Sequence, residues 1–137
     1  MTIQELSQLY FLTQEIKRYD QRIDELRARR TAISAPPFDR EPGSGGGGAA
    51  DNKIERLTAE IIDLEDLLRL HREQRAVEHQ RLERYISTVP DAQVRQIMHY
   101  RFEDLLTWPE TAKRMHYSVE AVKKRLYRYL EAHAEEV

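Results

Sequence analysis

The chain has 137 residues with a formal net charge of −2, 34% charged and 40% hydrophobic residues, and no cysteine. The length gives room for one ordinary domain, or a small domain with an extended attachment. The absence of cysteine excludes disulfides, thiolate metal sites and a thiol nucleophile together. No apolar run approaches the roughly 18 residues a membrane span requires, and Glu5 stands where a secretory leader would carry bases, so a cytosolic protein is expected.

From Thr2 to about Ser34, apolar residues fall at Leu9, Leu12, Ile16, Tyr19, Ile23, Leu26 and Ile33, alternating three and four apart. Only Arg30 interrupts the series. This is a heptad seam, and it predicts a long helix that pairs with another. Residues 35–52 read as a linker: Ala35-Pro36-Pro37 ends the helix, and Gly43-Ser44-Gly45-Gly46-Gly47-Gly48 follows as coil. The glycine run satisfies GxGxxG, but a dinucleotide cradle needs a preceding strand, and no segment reads as one.

A second long helix is predicted from Asp51 or Asn52, either a competent N-cap, to about Thr88. Ile54, Leu57, Ile61, Leu64 and Leu68 repeat the seam; His71, Arg75 and Glu78 then take its positions before Leu82, Tyr85 and Val89 resume it. Leu70 and Val77 indicate a stripe that drifts sideways, as in a straight helix. The polar trio suits a register-setting or exposed stretch better than a site. His71 and His79 lie eight apart near one face with no third ligand beside them, so no metal site is expected. Two such helices joined by a flexible loop fold back most simply as an antiparallel hairpin; pairing between chains competes, and the small core of a lone hairpin favours some self-association.

After Pro90, Asp91 can cap a helix carrying Val94, Ile97, Met98 and Phe102 on one side. Thr107-Trp108-Pro109-Glu110 opens another, with capping-box spacing and a proline in its first turn. That helix ends near Met115. His116-Tyr117-Ser118 makes a three-residue turn, with His116 where such turns usually hold glycine, and Ser118 caps a last helix from Val119 towards His133. Ala112 lets two helices approach closely, and Val122 and Leu126 anchor the last helix to the core.

Six bases lie between Lys113 and Arg128 against one acid, Glu120, while Glu131, Glu135 and Glu136 cluster at the end. A local basic face of this kind is the footprint of phosphate binding, and equally of a solvated helix. Ser118, Val119, Glu120, Lys123, Lys124 and Tyr127 face outward from the front of the last helix, as a major-groove reader requires. Candidate DNA-binding residues are therefore Lys113, Arg114, Tyr117, Ser118, Val119, Glu120, Lys123, Lys124, Tyr127 and Arg128. Glu120 could accept from a cytosine amine and Val119 could touch a thymine methyl, or Val119 could be core and Glu120 serve the helix dipole. Tyr127 could meet the DNA backbone or pack along the helix. Trp108 reads as core.

The stretch Thr107–Leu130 (TWPETAKRMHYSVEAVKKRLYRYL) resembles the helix-turn-helix of region 4 of bacterial sigma-70-type factors. The whole chain resembles a family of small phage and prophage proteins with an N-terminal helical hairpin, a Ser/Gly-containing loop and a C-terminal sigma-like helix-turn-helix. Tyr100-Arg101-Phe102 and Thr107-Trp108 echo that family's pattern. His116, in place of glycine, departs from it, as do Val119 and Glu120 at reading positions.

The resemblance implies an all-α fold, with a long antiparallel coiled-coil hairpin (1–88) followed by a tri-helical sigma-70 region 4-like domain (90–137). It implies a phage transcriptional regulator in the cytoplasm of a bacterial host, with duplex DNA as partner. RNA polymerase and a second copy through the coiled coil are further candidate partners. A membrane, a small-molecule substrate, a cofactor and catalysis are not expected. Two other functions compete: DNA packaging of the small-terminase kind, and a protein-interaction module that contacts RNA polymerase without binding DNA.

Overall fold

The computed structural model describes residues 1–34 and 47–134. Every element among them is helical. In chain order these are α1 (Ile3–Leu6), α2 (Gln8–Ser34), α3 (Gly47–Thr88), α4 (Ala92–Met98), a π-helical turn (His99–Glu103), α5 (Trp108–Met115) and α6 (Val119–Ala132). No helix among the described residues is long and apolar enough to cross a membrane.

One predicted boundary moves, and the first predicted helix is divided at Ser7 into α1 and α2. The second long helix begins at Gly47 rather than at Asp51 or Asn52. Glycine is a poor helix former but not a forbidden one, so Gly47 and Gly48 form a first turn ahead of the polar caps. Most of the expected linker, with Pro36-Pro37 and the first glycines of the GxGxxG run, lies outside the described residues, as do Glu135 and Glu136. At the other end Thr2 adds a feature the apolar pattern does not reveal. Its hydroxyl accepts from the Glu5 N–H at 3.2 Å and its own N–H donates to the Glu5 carboxylate at 3.0 Å, a capping box that starts α1.

The chain divides into two compact units, one of Met1–Thr13 with Glu73–Val137 and the other of Gln14–Arg72. The packing therefore does not divide at residues 88–90, as the sequence suggests. The reason is a continuous core in the first unit. Leu6 and Leu9 are buried in one cluster with Leu82, Ile86 and Val89 of the α3 end and with Val94, Ile97, Met98, Phe102, Ala112, Met115, Val122 and Leu126. Each fully buried Leu or Ile in it contributes about 1.5–3 kcal/mol, so the N-terminal turns and the α3 end are part of the base on which α4–α6 stand.

In the second unit Ile23, Leu26, Ile61 and Leu68 form a separate buried cluster, flanked by Ile16, Tyr19, Leu57 and Leu64. The cross-helix pairs run in opposite senses along the two helices, from Arg30–Thr58 to Arg27–Glu65 to Tyr19–His71, so α2 and α3 pack antiparallel here. Three of the residues that break the apolar series, Arg30, His71 and Arg75, meet the partner helix. Arg30 donates to the Thr58 hydroxyl at 3.4 Å. His71 stacks on Tyr19 at 4.9 Å, with its Nδ1 3.2 Å from a Glu15 carboxylate oxygen. Within the first unit Arg75 donates to the Thr13 hydroxyl at 2.9 Å. His71 and His79, paired in the sequence reading, belong to different units.

Candidate nucleic-acid interface

Local side-chain chemistry starts α4 and the two helices, α5 and α6, on or between which the candidate residues lie. Asp91 caps α4, accepting from Gln93 N–H at 2.9 Å and Val94 N–H at 3.3 Å. Thr107 caps α5 through Glu110 N–H at 3.3 Å, with Pro109 in the first turn where no amide hydrogen is missed. Ser118 caps α6 through Ala121 N–H at 3.2 Å.

Between α5 and α6 the chain reverses through His116, at φ 61° and ψ 34°, the left-handed conformation expected from its place in the turn. Tyr117 N–H reaches back to the Ala112 carbonyl at 3.2 Å and His116 N–H to the Lys113 carbonyl at 3.3 Å. These two bonds make a Schellman turn, which satisfies the last carbonyls of α5. A second left-handed residue, Leu105 at φ 57°, closes the π-helical turn, where Leu106 N–H bonds to the Tyr100 carbonyl at 3.0 Å.

The inner side of α6 is apolar: Val122 and Leu126 are buried, and Val119 is half-buried against the same core. At 100° per residue this leaves Glu120, Lys124, Tyr127, Arg128 and Glu131 on the opposite side, and all five are exposed. Lys113 and Arg114, at the end of α5, and Tyr117, in the turn, are exposed beside them. Eight of the ten candidate residues thus fall into two groups, Arg114 and Lys123 lying instead over aromatic rings. Lys113, Tyr117, Glu120, Lys124, Tyr127 and Arg128 offer side chains to solvent. Val119 is spent largely on packing, and the Ser118 hydroxyl on its cap.

Lys123 and Lys124, adjacent in sequence, are not equivalent. The Lys123 ammonium lies 5.7 Å from the centre of the Trp108 ring, and the Arg101 guanidinium 5.2 Å from the same ring. Tyr127 approaches Trp108 at 6.3 Å, tilted by 50°. Trp108 therefore packs against the core and also carries two cations on its π surface. Arg114 lies 5.9 Å from the Tyr100 ring.

The sequence reading did not single out the contact from Arg125 to Asp91, at 2.8 Å, which ties α6 to the start of α4. Burial pushes the Asp91 pKa up, but the Val94 N–H, Arg125 and the Gln93 N–H outweigh it and hold the carboxyl below its usual range. Thirty-four residues separate the partners, so no local pattern signals them. Of the six bases between Lys113 and Arg128, Arg125 is thereby committed within the fold, Lys123 and Arg114 lie over aromatic rings, and Lys113, Lys124 and Arg128 have no ion-pair partner among the described residues.

Set beside family models, curated proteins and solved structures, the chain matches none of them.

Proposed function

We propose that residues 90–137 bind duplex DNA and that the protein regulates transcription, with α5 and α6 acting as a sigma-70 region 4-like helix-turn-helix. In this reading α6 is the recognition helix, and α2 and α3 form a coiled-coil hairpin that recruits RNA polymerase or a second copy. The observation that carries it is the division of α6, with Val122 and Leu126 inward and Glu120, Lys124, Tyr127 and Arg128 outward, set behind a three-residue turn. A helix so mounted can enter a major groove, its bases meeting phosphates and its front residues meeting base edges. The phage or prophage origin rests on the sequence resemblance alone.

Selection from a random duplex library at about 50 mM salt tests this reading, since phosphate contacts are strong there. The comparison is Lys124→Ala/Arg128→Ala, because both side chains are exposed and, among the described residues, neither lies over an aromatic ring or in an ion pair. Enrichment of a defined motif by the wild type, lost in the variant, supports the assignment. No retention of any duplex overturns it.

One observation favours a second reading. Glu120 and Glu131 share the outward face with the bases, and mixed sign with two exposed tyrosines, Tyr117 and Tyr127, also suits a protein surface. Binding to purified RNA polymerase by a chain that retains no DNA would favour this alternative.

A further inference from the structure

Away from α6, the first unit brings together four groups that neither the core nor the candidate interface uses. His79 and Glu83 are one turn apart on α3 and so project from one face. His99 and Glu103 open and close the π-helical turn. The donor atoms of His79, Glu83 and Glu103 all lie within 4.8 Å of one another, and His79 Nε2 is 3.9 Å from a Glu103 carboxylate oxygen. The other Glu103 oxygen is bonded to His99 Nδ1 at 3.0 Å. The Glu103 side chain is only 12% exposed, so its carboxylate is held against the protein rather than in bulk water.

We propose that His79, Glu83 and Glu103 bind one divalent transition-metal ion of the zinc type, with His99 orienting Glu103. Two carboxylates face each other here, and among the described residues neither is ion-paired with a lysine or arginine. A bound cation removes that repulsion. One imidazole with two carboxylates is a borderline donor set that suits zinc, whereas magnesium and calcium prefer oxygen alone. Tetrahedral zinc needs donors about 3.4 Å apart, so small side-chain rotations close the present spacing. The bond from His99 to the far oxygen of Glu103 is the outer contact that fixes a metal ligand's orientation. π-Helical turns occur often at functional sites, and this one sets the direction of Glu103. The ion would clip the end of α3 to the π-helical turn and so brace the base beneath α5 and α6. The assignment does not depend on DNA binding.

The test is titration of the metal-free full-length chain with zinc chloride, followed by calorimetry and by thermal melting, with magnesium chloride in parallel. Binding of one zinc per chain is expected, with a melting temperature raised by several degrees, reversed by a chelator and not reproduced by magnesium. His79→Gln and Glu83→Gln should each weaken binding by about tenfold or more, and Glu83→Gln, which removes one of the two facing carboxylates, should not lower the metal-free melting temperature. Absence of heat and of any melting shift at excess zinc overturns the assignment. So does binding undiminished in both variants, which would place the metal elsewhere.

Discussion

Arg125 Nη2 lies 2.8 Å from the Asp91 carboxylate, whose other oxygen accepts the first free N–H groups of α4, so one side chain caps one helix and holds another. Both partners are more than one-third exposed, which limits the ion pair to below about 1 kcal/mol. The cap is worth about 1 kcal/mol by itself. Asp91→Asn, which keeps a capping oxygen, should therefore cost less in urea denaturation than Asp91→Ala. Equal losses would mean that the ion pair, not the cap, dominates.

The same contact sets a pH dependence. The Asp91 carboxyl titrates below the usual value of 3.8 in the folded chain, so its stabilising contribution is fully present above that value. It is lost as the pH falls through the lower, folded-state value. Melting curves across the acid range should show a steeper loss of stability in the wild type than in Asp91→Asn. Parallel curves would show that Asp91 gains nothing on folding.

His116 pays for a left-handed backbone that glycine adopts freely. His116→Gly should raise stability by ~0.5–1 kcal/mol, and His116→Val should lower it by at least that much, because a β-branched residue resists positive φ. Chemical denaturation measures both. Loss of stability in His116→Gly would show that the imidazole makes a contact worth more than the strain.

Much of the helix-turn-helix is legible in the sequence because its determinants are local. Thr107, Ser118 and Asp91 cap from within three residues, and the turn at His116 follows directly on Met115. The long-range features are not. Leu6 and Ile86 are fully buried, yet the heptad series starts at Leu9 and skips position 86: Leu6 lies on the separate α1, and α3 drifts from the seven-residue repeat. Lys123 and Lys124 form one basic pair in the sequence, but a 100° step sends one towards Trp108 and the other to solvent. The grouping of His79 with Glu103 depends on a π-helical turn, which no composition or spacing rule anticipates.

Thr111 is wholly buried in α5, and its hydroxyl has no hydrogen-bond partner among the described residues. An unsatisfied buried hydroxyl costs about 1–3 kcal/mol in desolvation. Thr111→Val replaces it with a methyl of nearly the same shape, so the melting temperature should rise, while Thr111→Ser keeps the hydroxyl and loses a packed methyl. A lower melting temperature for Thr111→Val would reveal an ordered water or other partner at that oxygen.

Under the proposed DNA binding, the differing surroundings of the bases on α6 set how salt should affect affinity. Each phosphate contact contributes about −0.9 to the slope of log affinity against log salt concentration. Lys124 and Arg128 are exposed on the outward face, so Lys124→Ala and Arg128→Ala should each reduce the slope by about one and leave the melting temperature unchanged. Lys123 is half-buried over Trp108. Lys123→Ala should lower the melting temperature through lost contact with the ring, with a smaller change in slope than Lys124→Ala. Fluorescence anisotropy on a selected duplex across a salt series separates the two roles. A slope change in Lys123→Ala as large as in Lys124→Ala, at unchanged stability, would mean that Lys123 leaves the ring to meet phosphate.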